Sequence, residues 1–109
     1  MKIFVLGAGM MGRAVVYDLG RARDVKAIAV ADFEGSRAHE VARTFGRGRA
    51  RGHFADVRDT QRLAKLAAGY DVLLNCTQYN WNLDVMRAAL AARVNYMDLG
   101  GLYLSLIHI

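Results

Sequence analysis

Three glycines near the start of the chain stand in the spacing G-x-G-x-x-G, at Gly7, Gly9 and Gly12. They follow a short apolar run, residues 2–6, which is typical of a buried parallel strand, and a helical pattern begins at about Met10. In this spacing the first glycine makes a tight turn, the second lets a pyrophosphate approach the backbone, and the third lets the helix pack against the strand. The helix start also offers free N–H groups to phosphates. The stretch therefore predicts a dinucleotide-binding turn.

An acidic residue, Asp32, stands 20 residues after Gly12, at the end of a second apolar run. The dinucleotide fingerprint requires a carboxylate about 20 residues on, where it accepts hydrogen bonds from ribose hydroxyls. Alone, Asp32 would be interpreted as a turn residue or a helix cap, but its position after the glycine motif favours the nucleotide role. A carboxylate there repels the 2′-phosphate of NADP and so favours NAD. Ser36 and Arg37, however, are near enough in sequence to bind a 2′-phosphate. The predicted cofactor is NAD or NADP, with NAD favoured.

The rest of the chain alternates strands with helices, which is typical of an α/β fold. The predicted strands cover residues 2–6, 26–31, 52–55, 72–77 and 94–99, and the predicted helices cover residues 10–19, 36–45, 60–68 and 82–93. The pattern predicts a Rossmann-like doubly wound parallel sheet of about five strands, in the order 3-2-1-4-5, with helices on both faces. Ligands of such sheets bind outside the carboxyl ends of the strands.

Helical spacing also predicts which residues face the sheet. The inward residues of the first helix are predicted to be Met10, Met11, Ala14, Val15 and Leu19, and those of the last helix Leu83, Met86, Ala89 and Leu90. Ser36 or Gly35 is the expected cap of the second helix.

Two polar features have alternative interpretations. The basic stretch 46–52 is either an arginine- and glycine-rich nucleic-acid patch or a solvated loop, and its position between two structured elements favours the loop. Asp56 either contacts the adenine, because it follows the third strand, or caps the next helix.

Composition limits the class of protein. A chain of 109 residues with 54% hydrophobic residues is long enough for one globular domain. The net charge of +5 is modest, so it does not by itself indicate nucleic-acid binding. Cys76 is the single cysteine, which excludes an internal disulfide and fits a reducing compartment. No run approaches the ~20 apolar residues of a membrane span. We therefore expect a cytoplasmic protein that binds neither membrane nor nucleic acid, and we predict no metal site.

The second half of the chain narrows the class. The stretches Asn75–Asn82 and Tyr96–Gly101, together with residues 7–14 and Tyr17–Leu19, resemble the NAD(P)-binding domain of the saccharopine dehydrogenase and lysine ε-dehydrogenase group. The resemblance covers Met1 to about Tyr103. It implies hydride transfer between a nicotinamide and the carbon–nitrogen bond of an amino acid such as lysine or saccharopine.

The resemblance also implies which residues form the site. The loop Thr77–Asn80 would lie beside the nicotinamide, and Asp98, Tyr79 and Asn80 are the substrate-pocket candidates, with the catalytic acid or base unassigned. Cys76 is interpreted as a packed residue rather than a nucleophile, because no His lies near it in sequence. The cofactor-binding candidates are Gly7, Gly9, Met10, Met11, Gly12, Asp32, Phe33, Arg37, Asp56, Cys76 and Thr77.

The end of the chain suggests a truncated record. Residues 104–109 match the translation of a transposase adapter used to prepare sequencing libraries, so we expect an artefactual tail in which His108 has no function. Residues 1–103 would then be the NAD(P)-binding domain of a longer, two-domain enzyme. The other domain would supply substrate contacts and a homodimer interface. We expect the chain as given to bind nucleotide poorly and to catalyse nothing alone.

Two other functions remain open at this point. A methyltransferase that binds S-adenosylmethionine also has a glycine-rich turn after its first strand and an acid after its second, although the full G-x-G-x-x-G spacing favours a dinucleotide. A non-catalytic module that senses NAD(H) and controls a partner would carry the same motif.

Overall fold

The computed structural model describes residues 1–77 and 82–98. The strands are β1 (Lys2–Leu6), β2 (Ala27–Asp32), β3 (Ala50–Phe54), β4 (Val72–Asn75) and β5 (Asn95–Asp98), and the helices are α1 (Met10–Gly20), α2 (Gly35–Phe45), α3 (Thr60–Ala67) and α4 (Asn82–Ala92). All strand pairs are parallel, and the sheet order is β3-β2-β1-β4-β5. The predicted fold class and strand order are confirmed.

The central strands β1 and β2 are buried on both faces, as is typical of parallel sheets, whereas the edge strands β3 and β5 are partly exposed. Alternate residues of β1 point to opposite faces, so Phe4 and Leu6 pack into one core while Ile3 and Val5 pack into another. The first core contains residues of α3 and α4, and the second contains residues of α1 and α2. Strand β1, the middle strand of the sheet, therefore contributes side chains to both cores.

The predicted inner face of α1 is wrong for Met10, Met11 and Ala14, whereas Val15 and Leu19 do pack against the second core. Met10 is 86% exposed and Met11 is 52% exposed, whereas the buried residues of this helix are Gly12, Val16 and Gly20. Ala14 is also exposed, and Val15 and Leu19 are half-buried. The helix packs through a row at i, i+4 and i+8, and two members of that row are glycines, which bring the backbones close but carry no hydrophobic signal.

The inner face of α4 differs from the prediction for a related reason. Val85, Ala88 and Ala89 are buried, while Leu83 and Leu90 are 70% and 78% exposed and Met86 is exposed as well. Of the predicted inward residues, only Ala89 is buried. Both rows have helical spacing, and the smaller side chains face the core because they allow a closer approach to the sheet and α3.

The caps of two helices also differ from expectation. Helix α2 begins at Gly35, with Glu34 at the N-cap, so neither Ser36 nor Gly35 is the cap. Asp59 caps α3, and its carboxylate accepts a hydrogen bond from the Arg62 N–H at 3.2 Å. The alternative in which Asp56 caps that helix is therefore wrong.

The basic stretch is more than a solvated loop. The guanidinium of Arg49 donates to the carbonyls of Ala22, at 2.8 Å, and Val25, at 2.7 Å, and also to that of Gly20. Residues 50–52 then belong to β3. Arg49 thus ties the end of α1 to the start of β2, where a cation is also favoured by the helix dipole.

We expect Arg49→Met to destabilise the fold by about 2–4 kcal/mol, because three carbonyls lose a charged donor. Arg51→Met is the matched control, since Arg51 is exposed on β3 and the substitution removes the same charge. Urea unfolding followed by circular dichroism measures both. Equal losses of stability in the two variants would contradict the role of Arg49.

None of the helices in the described part of the chain is long and apolar enough to cross a membrane.

Candidate dinucleotide site

The turn between β1 and α1 is held by the neighbouring strands. Gly7 has φ of +103°, a conformation that favours glycine, and its N–H donates to the Ala31 carbonyl at 2.7 Å. On the other side, the Cys76 N–H donates to the Leu6 carbonyl at 2.7 Å. The turn therefore lies at the carboxyl edge of the central strands, between β2 and β4, where the strand order reverses.

The other two glycines of the motif have different surroundings. A Cβ atom on Gly12 would lie 1.8 Å from the Gly7 carbonyl oxygen, so only glycine fits there. A Cβ on Gly9 would meet nothing within 4 Å. Gly9 is the N-cap of α1, its φ is −76°, and no side chain caps the helix there. The space beside Gly9 is thus open and no side chain of the described residues caps the N-terminus of α1, which fits a pyrophosphate.

Asp32 organises the turn from the end of β2. Its Oδ2 accepts a hydrogen bond from the Ala8 N–H at 2.7 Å, and its Oδ1 accepts one from the Glu34 N–H at 2.8 Å. The carboxylate therefore joins the glycine turn to the start of α2. An ionised carboxylate has about four acceptor positions, so both oxygens can also accept from ribose hydroxyls.

A cavity of about 490 Å³ opens at this edge of the sheet. Its lining includes eight of the predicted cofactor-binding residues: Gly7, Gly9, Asp32, Phe33, Arg37, Asp56, Cys76 and Thr77. Met10 lies instead in the lining of a neighbouring cavity between α1 and α2, which also contains Arg13 and Arg37. Met11 and Gly12 do not belong to the lining of the main cavity.

Sequence reasoning missed Arg58 and the apolar residues Ala55 and Val57, which also line the cavity. Arg58 donates to Asp56 through its backbone N–H and through Nε and Nη2, at 2.9–3.0 Å. These hydrogen bonds lower the pKa of the Asp56 carboxyl. The only sequence signal was a basic residue two positions after the acid that follows β3.

A second polar network lies at the ends of β4 and β5. Asn75 is buried, and its Oδ1 accepts from the Thr77 N–H at 3.0 Å and from the Thr77 hydroxyl at 2.5 Å. Its Nδ2 donates to the Tyr96 hydroxyl at 3.1 Å, which is also hydrogen-bonded to Asp98. Burial raises the pKa of Tyr96 above its usual range. Asn75 therefore fixes the backbone that carries Thr77, and no sequence pattern had singled it out as a site residue.

The substrate-pocket candidates are only partly visible. Asp98 lies at the end of β5, paired in register with Asn75, and it is half-buried. Tyr79 and Asn80 lie outside the described residues, so their assignment stays a prediction.

Cys76 follows β4 and lines the cavity, and burial raises the pKa of its thiol to about 11. The thiolate is the reactive form, so we expect alkylation at pH 8 to be about 200-fold slower than for a free thiol of pKa about 8.5. The rate should rise about tenfold per pH unit up to about pH 11. Because Cys76 is the single cysteine, the mass shift with iodoacetamide reports on it alone. A native rate equal to that in urea would contradict its burial.

A doubly wound sheet with a glycine turn, a helix N-terminus without a side-chain cap and an acid at the end of β2 is typical of nucleotide-binding domains that take dinucleotides. Residues 3–106 match the family model described as the saccharopine dehydrogenase NADP-binding domain. The chain belongs to this family, and its cofactor is a nicotinamide dinucleotide. The resemblance found in the sequence is confirmed.

Solved structures share the fold. Saccharopine dehydrogenase (L-Glu forming) from Saccharomyces cerevisiae matches 89% of the chain with a TM-score of 0.78 and 23% identity, and the match covers 21% of that protein. An oxidoreductase from Lactococcus lactis matches 90% of the chain with a TM-score of 0.74 and 20% identity, and the match covers 47% of that protein. The chain thus spans between a fifth and a half of the length of these two proteins.

A third solved structure was determined with a cofactor bound. Quinate dehydrogenase from Corynebacterium glutamicum, in complex with NAD, matches 70% of the chain with a TM-score of 0.56 and 29% identity, and the match covers 26% of that protein.

Proposed function

We propose that this chain is the NAD-binding domain of an oxidoreductase that acts on the carbon–nitrogen bond of an amino acid such as lysine or saccharopine. The family match carries the proposal, because it joins the fold to a named oxidoreductase group. The cofactor supplies the hydride chemistry, and the domain holds and orients it.

The residues of the cavity have separate roles in this proposal. Gly9 and the start of α1 bind the pyrophosphate, and Asp32 accepts from the adenosine ribose. Phe33 and Asp56 flank the adenine side of the cavity, while Cys76 and Thr77 lie on the side of β4, toward the nicotinamide. These roles are supported by the position of the residues, which all line one cavity at the point where the strand order reverses.

In this proposal, the preference for NAD over NADP rests on charge, although the family model is described as NADP-binding. Asp32 holds a carboxylate beside the turn, fixed by two backbone N–H groups, and a 2′-phosphate placed near it would be repelled.

Hydride transfer requires the substrate carbon to be held close to the nicotinamide. In this proposal, a further part of a longer polypeptide supplies the groups that hold it. The proposal is supported by the small share of the neighbouring proteins that the chain covers.

The test is to assay the full-length protein that contains this chain for NADH formation. Lysine and saccharopine test oxidation at a carbon–nitrogen bond, and quinate tests oxidation at a carbon–oxygen bond. We expect turnover with an amine substrate only. Turnover with quinate alone, or turnover by residues 1–109 alone, would contradict the proposal.

A further inference from the structure

The positive charges around the main cavity are already paired with carboxylates. Two arginines line it, Arg37 and Arg58. Nη2 of Arg37 lies 3.0 Å from Oε2 of Glu34, and Nη2 of Arg58 lies 2.9 Å from Oδ2 of Asp56. Any phosphate bound beyond the pyrophosphate would have to compete with these carboxylates.

Glu34 is held in place by its backbone. Its N–H donates to Asp32 Oδ1 at 2.8 Å, and its carbonyl accepts from the N–H groups of Arg37, at 3.0 Å, and Ala38, at 3.3 Å. The residue is therefore fixed at the N-cap of α2, one helical turn before Arg37. Because the backbone of Glu34 is already fixed there, its carboxylate reaches Arg37 without any loop having to become ordered.

Arg37 is the cationic residue nearest in sequence to Asp32, the proposed acceptor of hydrogen bonds from the ribose. Arg37 lines both the main cavity and the cavity beside Gly9. A guanidinium in this position is suited to bind a 2′-phosphate through two N–H groups. Here one of those groups already donates to Glu34.

We propose that Glu34 determines cofactor specificity by pairing with Arg37 and so denying that guanidinium to the 2′-phosphate of NADP. The inference rests on the proposed function, since it assigns a role within the same cofactor site. Asp32 disfavours the 2′-phosphate by its own charge, and Glu34 removes the cation that would otherwise offset this charge.

The pair contributes little to folding. The side chains of Arg37 and Glu34 are 48% and 59% exposed, and ion pairs of this kind stabilise a fold only slightly. Removing the carboxylate should therefore change ligand preference without unfolding the domain.

The test is a double-mutant cycle on the 109-residue chain, with NAD and NADP titrated by saturation-transfer difference NMR at low ionic strength. We expect Glu34→Gln to increase the affinity for NADP about twofold relative to NAD, because an exposed ion pair of this kind is worth about 0.5 kcal/mol. In the Arg37→Met background the same substitution should have little effect. Asp18→Asn is the charge-matched control, because it removes one negative charge from the exposed side of α1.

The results distinguish a failure of the role proposed for Glu34 from a failure of the proposed function. An unchanged NADP-to-NAD ratio in Glu34→Gln, with NAD still bound, would overturn the role of Glu34 alone. A gain that persists without Arg37, or that Asp18→Asn reproduces, would show a general charge effect and would overturn the pairing argument. Failure of the wild-type chain to bind either dinucleotide would overturn the proposed function itself.

Discussion

Gly12→Ala is expected to destabilise the domain by about 3 kcal/mol or more, because the added methyl group meets backbone rather than a movable side chain. A Cβ atom there would lie 1.8 Å from the Gly7 carbonyl oxygen and 2.8 Å from its carbonyl carbon. Gly7 cannot shift easily, since its N–H is bonded to Ala31 and its φ is +103°. Urea unfolding followed by circular dichroism measures the loss.

Gly9→Ala is the matched control, because it adds the same methyl group three residues earlier in the same motif. A Cβ at Gly9 meets nothing within 4 Å, and the backbone there has an ordinary φ of −76°. We expect its unfolding free energy to stay within about 1 kcal/mol of the wild type. Similar losses in the two variants would show that the close approach of α1 to the turn is not what requires Gly12.

Gly9→Val is expected to abolish dinucleotide binding while leaving the domain folded. The branched side chain would fill the open space over the start of α1, which is where a pyrophosphate must approach the backbone N–H groups. The unfolding midpoint should change little, since the space is open and the φ angle suits valine. Titration of NAD, together with a circular dichroism spectrum of each variant, makes the measurement.

Substitutions of increasing size at Gly9 should weaken NAD binding progressively. Gly9→Ala should weaken NAD binding less than Gly9→Val, because its side chain projects less far into the phosphate space. Wild-type affinity in a folded Gly9→Val chain would show that the phosphates bind elsewhere.

The fold and the core of the site were predictable because their signals are local and chemical. Backbone geometry requires glycine at positions 7 and 12. Asp32 then follows at the distance along the sequence that the motif predicts. Alternation of apolar strands with helices was enough to predict the parallel sheet and its order.

The helix faces were harder to predict, for a physical reason. Hydrophobic periodicity weights large side chains, but α1 packs through Gly12 and Gly20, and α4 packs through Ala88 and Ala89. Close packing of backbones selects small residues, so the large apolar residues Met10 and Leu90 are left outside.

Interactions between distant parts of the chain left no sequence pattern. Arg49 bonds to carbonyls more than 20 residues away, and Asn75 bonds to Tyr96 on the neighbouring strand. The Glu34–Arg37 ion pair is local, but its proposed role depends on Arg37 also lining the cavity. Such roles follow only from the folded arrangement.

The most direct test of the central claim is saturation-transfer difference NMR on the 109-residue chain with NAD, NADP and S-adenosylmethionine, because this method detects weak binding. We expect weak, saturable binding of NAD, weaker binding of NADP, no binding of S-adenosylmethionine, and loss of the NAD signal in Gly9→Val. Binding of S-adenosylmethionine in place of NAD, or an NAD signal that Gly9→Val leaves unchanged, would contradict the assignment of this edge of the sheet as a nicotinamide dinucleotide site.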